Sequence, residues 1–159
     1  MSSDATKTGG GRGTLWDAAL AFVALVGLLD ACYLTVEHLT GQSVRCMIVT
    51  GCDEVLQSKY ATFGHGIVSG GIPVAALGAL AYFAVFSLST LAAFGYDGAR
   101  RLVAPLVALM FLATLWFFYL QAFVIHAFCA YCLLSAAVTT TLTVLVVIRR
   151  LAGAKSRLA

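Results

Sequence analysis

A chain of 159 residues that is 61% hydrophobic and only 11% charged falls far below the roughly 25% charge of a water-soluble domain. A soluble globular fold is excluded, and the mean hydropathy of +0.95 points to an integral membrane protein. The formal net charge of +3 does not mark a nucleic-acid binder, because the basic residues gather at the two ends and in one short loop, where membrane topology accounts for them.

Residues 1–13 are polar and glycine-rich. They lack the apolar stretch of a signal peptide and read as a disordered cytoplasmic tail. A single membrane domain is expected over 14–150, followed by a basic cytoplasmic tail over 151–159. The first apolar segment, 15–39, is long enough to cross a hydrocarbon core of about 30 Å at about 1.5 Å per helical residue, and it is interrupted by Asp30. The second, 67–94, has Pro73 near its start, where a missing amide is best tolerated. The third spans 102–124 and the fourth 128–148. The fold class is therefore all-α: a four-transmembrane-helix bundle.

Lys7 and Arg12 precede the first span, Arg100 and Arg101 lie between the second and third, and Arg149, Arg150, Lys155 and Arg157 follow the fourth. Four spans place all three groups on one side, which the positive-inside rule makes cytoplasmic. Both termini then face the cytoplasm of a cell inner (plasma) membrane. The opposite side holds the loop of residues 40–66 and the short turn at Ile125-His126. Within that loop, residues 51–60 are expected to form a short amphipathic helix with Val55, Leu56 and Tyr60 turned inward. It would cap the mouth of the bundle before Gly64, Gly66, Gly70 and Gly71 turn the chain into the second span.

This topology puts four of the five cysteines on the outer side, where disulfides form and persist. Cys46 and Cys52 lie in the loop, and Cys129 and Cys132 form a C-x-x-C at the outer end of the fourth span. Only Cys32, read as a small apolar packing residue, lies within a span. Cysteines at i and i+3 share one helical face. Cys129, expected in the first helical turn, would meet unpaired amides that favour its thiolate, with Cys132 one turn deeper. A lone C-x-x-C is equally read as a redox-active pair, an inert disulfide or two buried thiols. With Cys46 and Cys52 added, three readings stand: a thiol relay to a lipid-borne oxidant, static disulfides, or a structural zinc site. The six-residue step from Cys46 to Cys52 is wider than zinc pairs use, and no metal is expected.

The run Tyr33-Leu34-Thr35-Val36-Glu37-His38, the loop Cys46…Gly51-Cys52-Asp53-Glu54-Val55-Leu56-Gln57-Ser58, the stretch Gly71-Ile72-Pro73-Val74-Ala75-Ala76-Leu77-Gly78, and Phe128-Cys129-Ala130-Tyr131-Cys132 together resemble the vitamin K epoxide reductase family. The likeness is greatest to its bacterial, quinone-linked branch. That resemblance implies a four-helix bundle around a quinone of ubiquinone or menaquinone type, with Cys129 and Cys132 as the active pair and Cys132 nearer the quinone. It further implies that Cys46 meets a DsbA-like, thioredoxin-fold partner and that Cys52 forms a transient disulfide with Cys129. Ser58 matches the family's serine or threonine near the quinone, and Tyr60 stands where animal members carry Trp. Those members have Tyr at the position of Ala136, so an ordinary respiratory quinone is expected rather than vitamin K epoxide. Many bacterial relatives append a thioredoxin-like domain; the chain stops at Ala159, so a separate partner is expected. The expected activity is that of a membrane thiol:quinone oxidoreductase supporting extracytoplasmic disulfide formation. The alternatives are a reductase of vitamin K quinone or its epoxide, and a non-enzymatic membrane subunit with structural disulfides.

Further residues carry paired readings. Asp30 is an ionisable group inside a span, a functional expectation by default or a helix-to-helix hydrogen bond. His126, three residues before Cys129, is either a thiolate or proton partner or an interfacial histidine. His38 and His65 read as interfacial. Phe117 and Phe118, within Trp116-Phe117-Phe118-Tyr119, wall a quinone ring or belong to an aromatic belt.

Overall fold

The computed structural model describes residues 10–40, 55, 58, 60–63 and 72–158. Four long helices carry the apolar runs: α1 (Gly10–Thr40), α2 (Val74–Ala93), α3 (Asp97–Tyr119) and α4 (Ala130–Leu158). Each holds a stretch long and apolar enough to cross a membrane. α1 packs against α2 and α4, and α3 against α2 and α4, so the helices close a ring. Leu20 and Ala24 of α1, Tyr82 and Val85 of α2, Val103 and Val107 of α3, and Val138 and Leu142 of α4 meet in its core. Large apolar side chains such as Phe22, Leu29, Leu80, Phe83, Leu109 and Leu112 face outward. In water that surface would aggregate, whereas in a bilayer it is the lipid-facing wall. The chain is an all-α, multi-pass membrane protein.

Helix ends differ from the hydropathy limits. α1 is already helical from Gly10, and α4 continues to Leu158 beyond the paired Arg149 and Arg150. Hydropathy marks where the bilayer ends, but backbone hydrogen bonding continues wherever the next residues tolerate helix, as Leu151 and Ala152 do. The second helix starts at Val74, later than the apolar run. Pro73 is its N-cap at φ −63°, ψ 134°, and a proline disfavours helical geometry in the residue before it. Ile72–Pro73 instead forms a strand, β2, paired antiparallel with β1 (Thr62–Phe63). This ribbon is absent from the sequence expectation, since two residues give no readable alternation. The amide of Val74 donates to the carbonyl of Ala61 at 2.9 Å, tying the end of the outer loop to the start of α2. α2 and α3 are joined through Gly95, whose φ of +97° is a left-handed stop that glycine adopts without strain.

At the end of the bundle away from the C-x-x-C, the carboxylate of Asp17 is fully buried between two arginines. Arg100 donates to its Oδ2 at 3.0 Å, and Arg149 donates to its Oδ1. Arg100 also reaches the Ala92 carbonyl at the end of α2. Three helices are thus pinned through one carboxylate, and removing one side of such a buried pair typically costs about 3–5 kcal/mol.

Candidate functional site

The opposite end is built around the last turn of α3. Beyond Tyr119 the helix widens into a π-helical segment, Leu120–Ile125, closed by His126 in the left-handed region at φ 56°. The extra residue per turn changes the facing of the side chains, as π segments at functional sites do. Gln121 is buried there, and its Oε1 accepts the backbone N–H of Cys129 at 3.1 Å. The chain then turns through Ala127 and Phe128 into α4.

Cys129 is not inside the first turn of α4, as the spacing suggested; it is the residue before it. From that N-cap position its carbonyl accepts the amide of Leu133 at 3.0 Å, while the Tyr131 and Cys132 amides are turned toward its sulfur. That is the arrangement of an N-cap side chain receiving the orphan amides of a helix. The Cys132 thiol reaches back and donates to the same sulfur. Cys132's donation is the strongest influence on Cys129 and, with the two amides, pulls its pKa down to about 7; burial and the charge of Asp30 act in the opposite direction. Both residues are thiols in this structure. Cys129 is the readily ionised member, and it is fully buried.

The two sulfurs face different surroundings. Cys129 packs with Ala127 against Val55 of the outer loop. Cys132 instead lines a cavity of about 400 Å³ inside the bundle, within the size range of small-molecule sites. Its walls are largely apolar, with Leu34, Leu106, Met110 and Phe117 among them. The polar groups are few: Asp30, His38, Ser58, Tyr60, Tyr82, Thr114, Gln121, Ser135 and Thr139. Tyr82 is held rigidly, its hydroxyl bonding the Ser135 carbonyl at 3.0 Å and the Ser135 and Thr139 hydroxyls at 2.8 Å each. Its ring lies against Gly27, where a Cβ would come within 2.4 Å of a ring carbon. An apolar chamber with a few fixed polar groups and one thiol suits a flat, hydrophobic, carbonyl-bearing molecule. Among the described residues no group of three or more His, Cys, Asp or Glu converges as metal ligands would.

The sequence model of the vitamin K epoxide reductase family matches residues 18–147, spanning the four helices and both ends of the site. The chain belongs to this family. Vitamin K epoxide reductase family members are membrane oxidoreductases whose chemistry joins thiols to quinones, and they generally work with thioredoxin-like partners.

Within that family frame, Ser58, Tyr60, Phe117 and Phe118 lie with Cys132 on the cavity wall. Ser58 donates its hydroxyl to the carbonyl of Val55, the residue that packs on Cys129, at 2.8 Å. Trp116 and Tyr119 face outward and stack on each other with ring centroids 6.0 Å apart, so only the central two of the four aromatics reach the cavity. His126 is exposed and lies outside the lining. Of its two readings, the interfacial one fits this exposed position, and its backbone makes a left-handed turn that histidine tolerates better than most residues. His38, read as interfacial, also lines the cavity. Cys46, Cys52, His65 and most of the expected 51–60 helix lie outside the described residues; within that stretch Val55 is helical and buried. Gln121 and Tyr82 are site residues that sequence reasoning missed. Their signals were a lone amide in an apolar run and a mid-span tyrosine opposite Ser135 and Thr139 at helical spacing.

Proposed function

We propose that this protein is a thiol:quinone oxidoreductase that re-oxidises a separate DsbA-like, thioredoxin-fold protein outside the cytoplasm. The observation that carries the reading is the division of the C-x-x-C: Cys129 is buried against the outer loop, and Cys132 lines the apolar cavity. A reduced partner passes two electrons to a Cys46–Cys52 disulfide. Cys52 then attacks the Cys129–Cys132 disulfide at Cys129, the sulfur nearer the loop, and releases Cys132 on the cavity side. Cys46 resolves the Cys52–Cys129 bond and leaves Cys129 and Cys132 as a dithiol.

Ser58, Tyr60, Phe117 and Phe118 would hold the quinone beside Cys132, and Tyr82 would fix one wall. A bound quinone of ubiquinone or menaquinone type supplies a two-electron, two-proton acceptor; the residues orient it and exclude water. The basic clusters at the end away from the cysteines support a cytoplasmic assignment for that end. Ala136 lines the cavity where animal members carry Tyr, which favours an ordinary respiratory quinone over vitamin K epoxide.

The test is quinone loss by the purified protein with dithiothreitol or a reduced thioredoxin-fold protein as donor. Turnover is expected in the wild type and is abolished by Cys129→Ala or Cys132→Ala. No turnover with ubiquinone or menaquinone analogues would remove the enzyme reading and leave the four cysteines as structural.

A further inference from the structure

The thiol relay makes no use of Asp30. This carboxyl sits on α1, one helical turn from Gly27, is only 8% exposed and lines the same cavity as Cys132. Its Oδ2 is buried with no hydrogen-bond partner among the described residues. An unpaired buried polar oxygen costs about 1–3 kcal/mol and is rare enough that each instance calls for a cause. The other buried carboxylate among the described residues, Asp17, is bound by two arginines; a carboxyl retained only for structure can evidently be satisfied here. Around Asp30, the titratable groups on the cavity wall among the described residues are His38 on α1, Tyr60 in the loop, Tyr82 on α2 and Cys132 on α4. Tyr82 already has its hydroxyl engaged by Ser135 and Thr139. Among the described residues, no lysine or arginine lines the cavity to pair with the carboxyl.

The vacant oxygen therefore matches something the cavity receives. A carboxyl suits both redox forms of a quinone. As the acid it donates to a ring carbonyl oxygen, which offers only lone pairs; as the carboxylate it accepts from a hydroxyl. We propose that Asp30 is the proton-handling residue of this cavity, holding one ring oxygen of the bound quinone and protonating it as the Cys129–Cys132 dithiol is oxidised. The proposal rests on the quinone reading above. Asp30 gives up its proton to the ring oxygen and regains one of the two protons released as the Cys129–Cys132 disulfide forms. The second thiol proton and both electrons go to the same acceptor. Dithiol and quinone become disulfide and quinol, and Asp30 ends as it began.

The experiment uses the full chain in lipid nanodiscs, a short-chain ubiquinone as probe and dithiothreitol as donor. Asn keeps the shape and a donor but cannot exchange a proton, so Asp30→Asn is expected to lower kcat on the order of a hundredfold while KM stays within about threefold. Asp30→Glu restores a large part of the rate. Independently of turnover, the infrared difference spectrum between quinone- and quinol-bound protein shows a carboxyl C=O band in the wild type that is missing in Asp30→Asn and displaced in Asp30→Glu. If Asp30→Asn does not fold, the displacement in Asp30→Glu carries the same assignment. A wild-type rate in Asp30→Asn, or a difference band that survives both substitutions, overturns the role of Asp30 and leaves the quinone reading standing. Absence of turnover in the wild type brings down both.

Discussion

The side-chain oxygen of Gln121, on the π-helical end of α3, accepts the backbone amide of Cys129 at 3.1 Å in a fully buried setting. One hydrogen bond thus fixes the position of the C-x-x-C relative to the cavity wall, because Gln121 itself lines that wall. Gln121→Leu keeps the volume and removes the acceptor, stranding a buried amide at a cost of about 1–3 kcal/mol. The expected outcome is a lower unfolding midpoint in detergent together with faster alkylation of Cys129, read by mass spectrometry of its peptide. Gln121→Glu, which keeps an acceptor, should restore the slow alkylation.

Cys129 is held near pKa 7, chiefly by the thiol of Cys132 and then by the Tyr131 and Cys132 amides, against the raising effects of burial and Asp30. A lowered thiol pKa means that the reactive thiolate is already present at neutral pH. The alkylation rate of Cys129 is expected to climb as pH rises through about 7 and then level off. In Cys132→Ala the principal donor is gone, so the midpoint moves upward toward the ordinary thiol range. An unmoved midpoint would mean that the amides alone set the value.

Gly27 and Tyr82 meet so closely that a Cβ at position 27 would lie 2.4 Å from the ring. The ring cannot simply swing away, since its hydroxyl is bound to Ser135 and Thr139. Gly27→Ala is therefore expected to part α1 from α2 or to break those bonds, at a cost of about 1–3 kcal/mol. A thermal melt in detergent measures the loss. Tyr82→Phe combined with Gly27→Ala should lose less than the two single changes added together, because both act on one contact.

Much of this arrangement was legible in the sequence. Four apolar runs gave four spans, and Arg100 and Arg149, two of the basic residues that the topology reading used, close one end of the bundle on Asp17. Cys129 and Cys132 stood out by spacing, and Ser58, Tyr60, Phe117 and Phe118 reach the cavity wall. What was not legible depends on neighbours distant in the chain or on backbone geometry without a periodic signal. The π-helical widening that brings Gln121 to Cys129 has no composition of its own. The later start of α2 turns on the single constraint of Pro73, which hydropathy does not register. His126 carried two readings, thiolate or proton partner and interfacial histidine; its left-handed backbone turns the chain with the imidazole exposed, a geometry that spacing from Cys129 does not register.

The placement of Cys129 as the cap of α4 also has an electrochemical consequence. Amides and a neighbouring thiol that favour its thiolate stabilise the reduced pair relative to the disulfide, in which that charge is lost. Stabilising the reduced form raises the reduction potential, so the disulfide becomes the stronger oxidant. Under the proposed thiol-to-quinone reading, electrons would be drawn readily into Cys129–Cys132 and would leave only toward an acceptor of still higher potential.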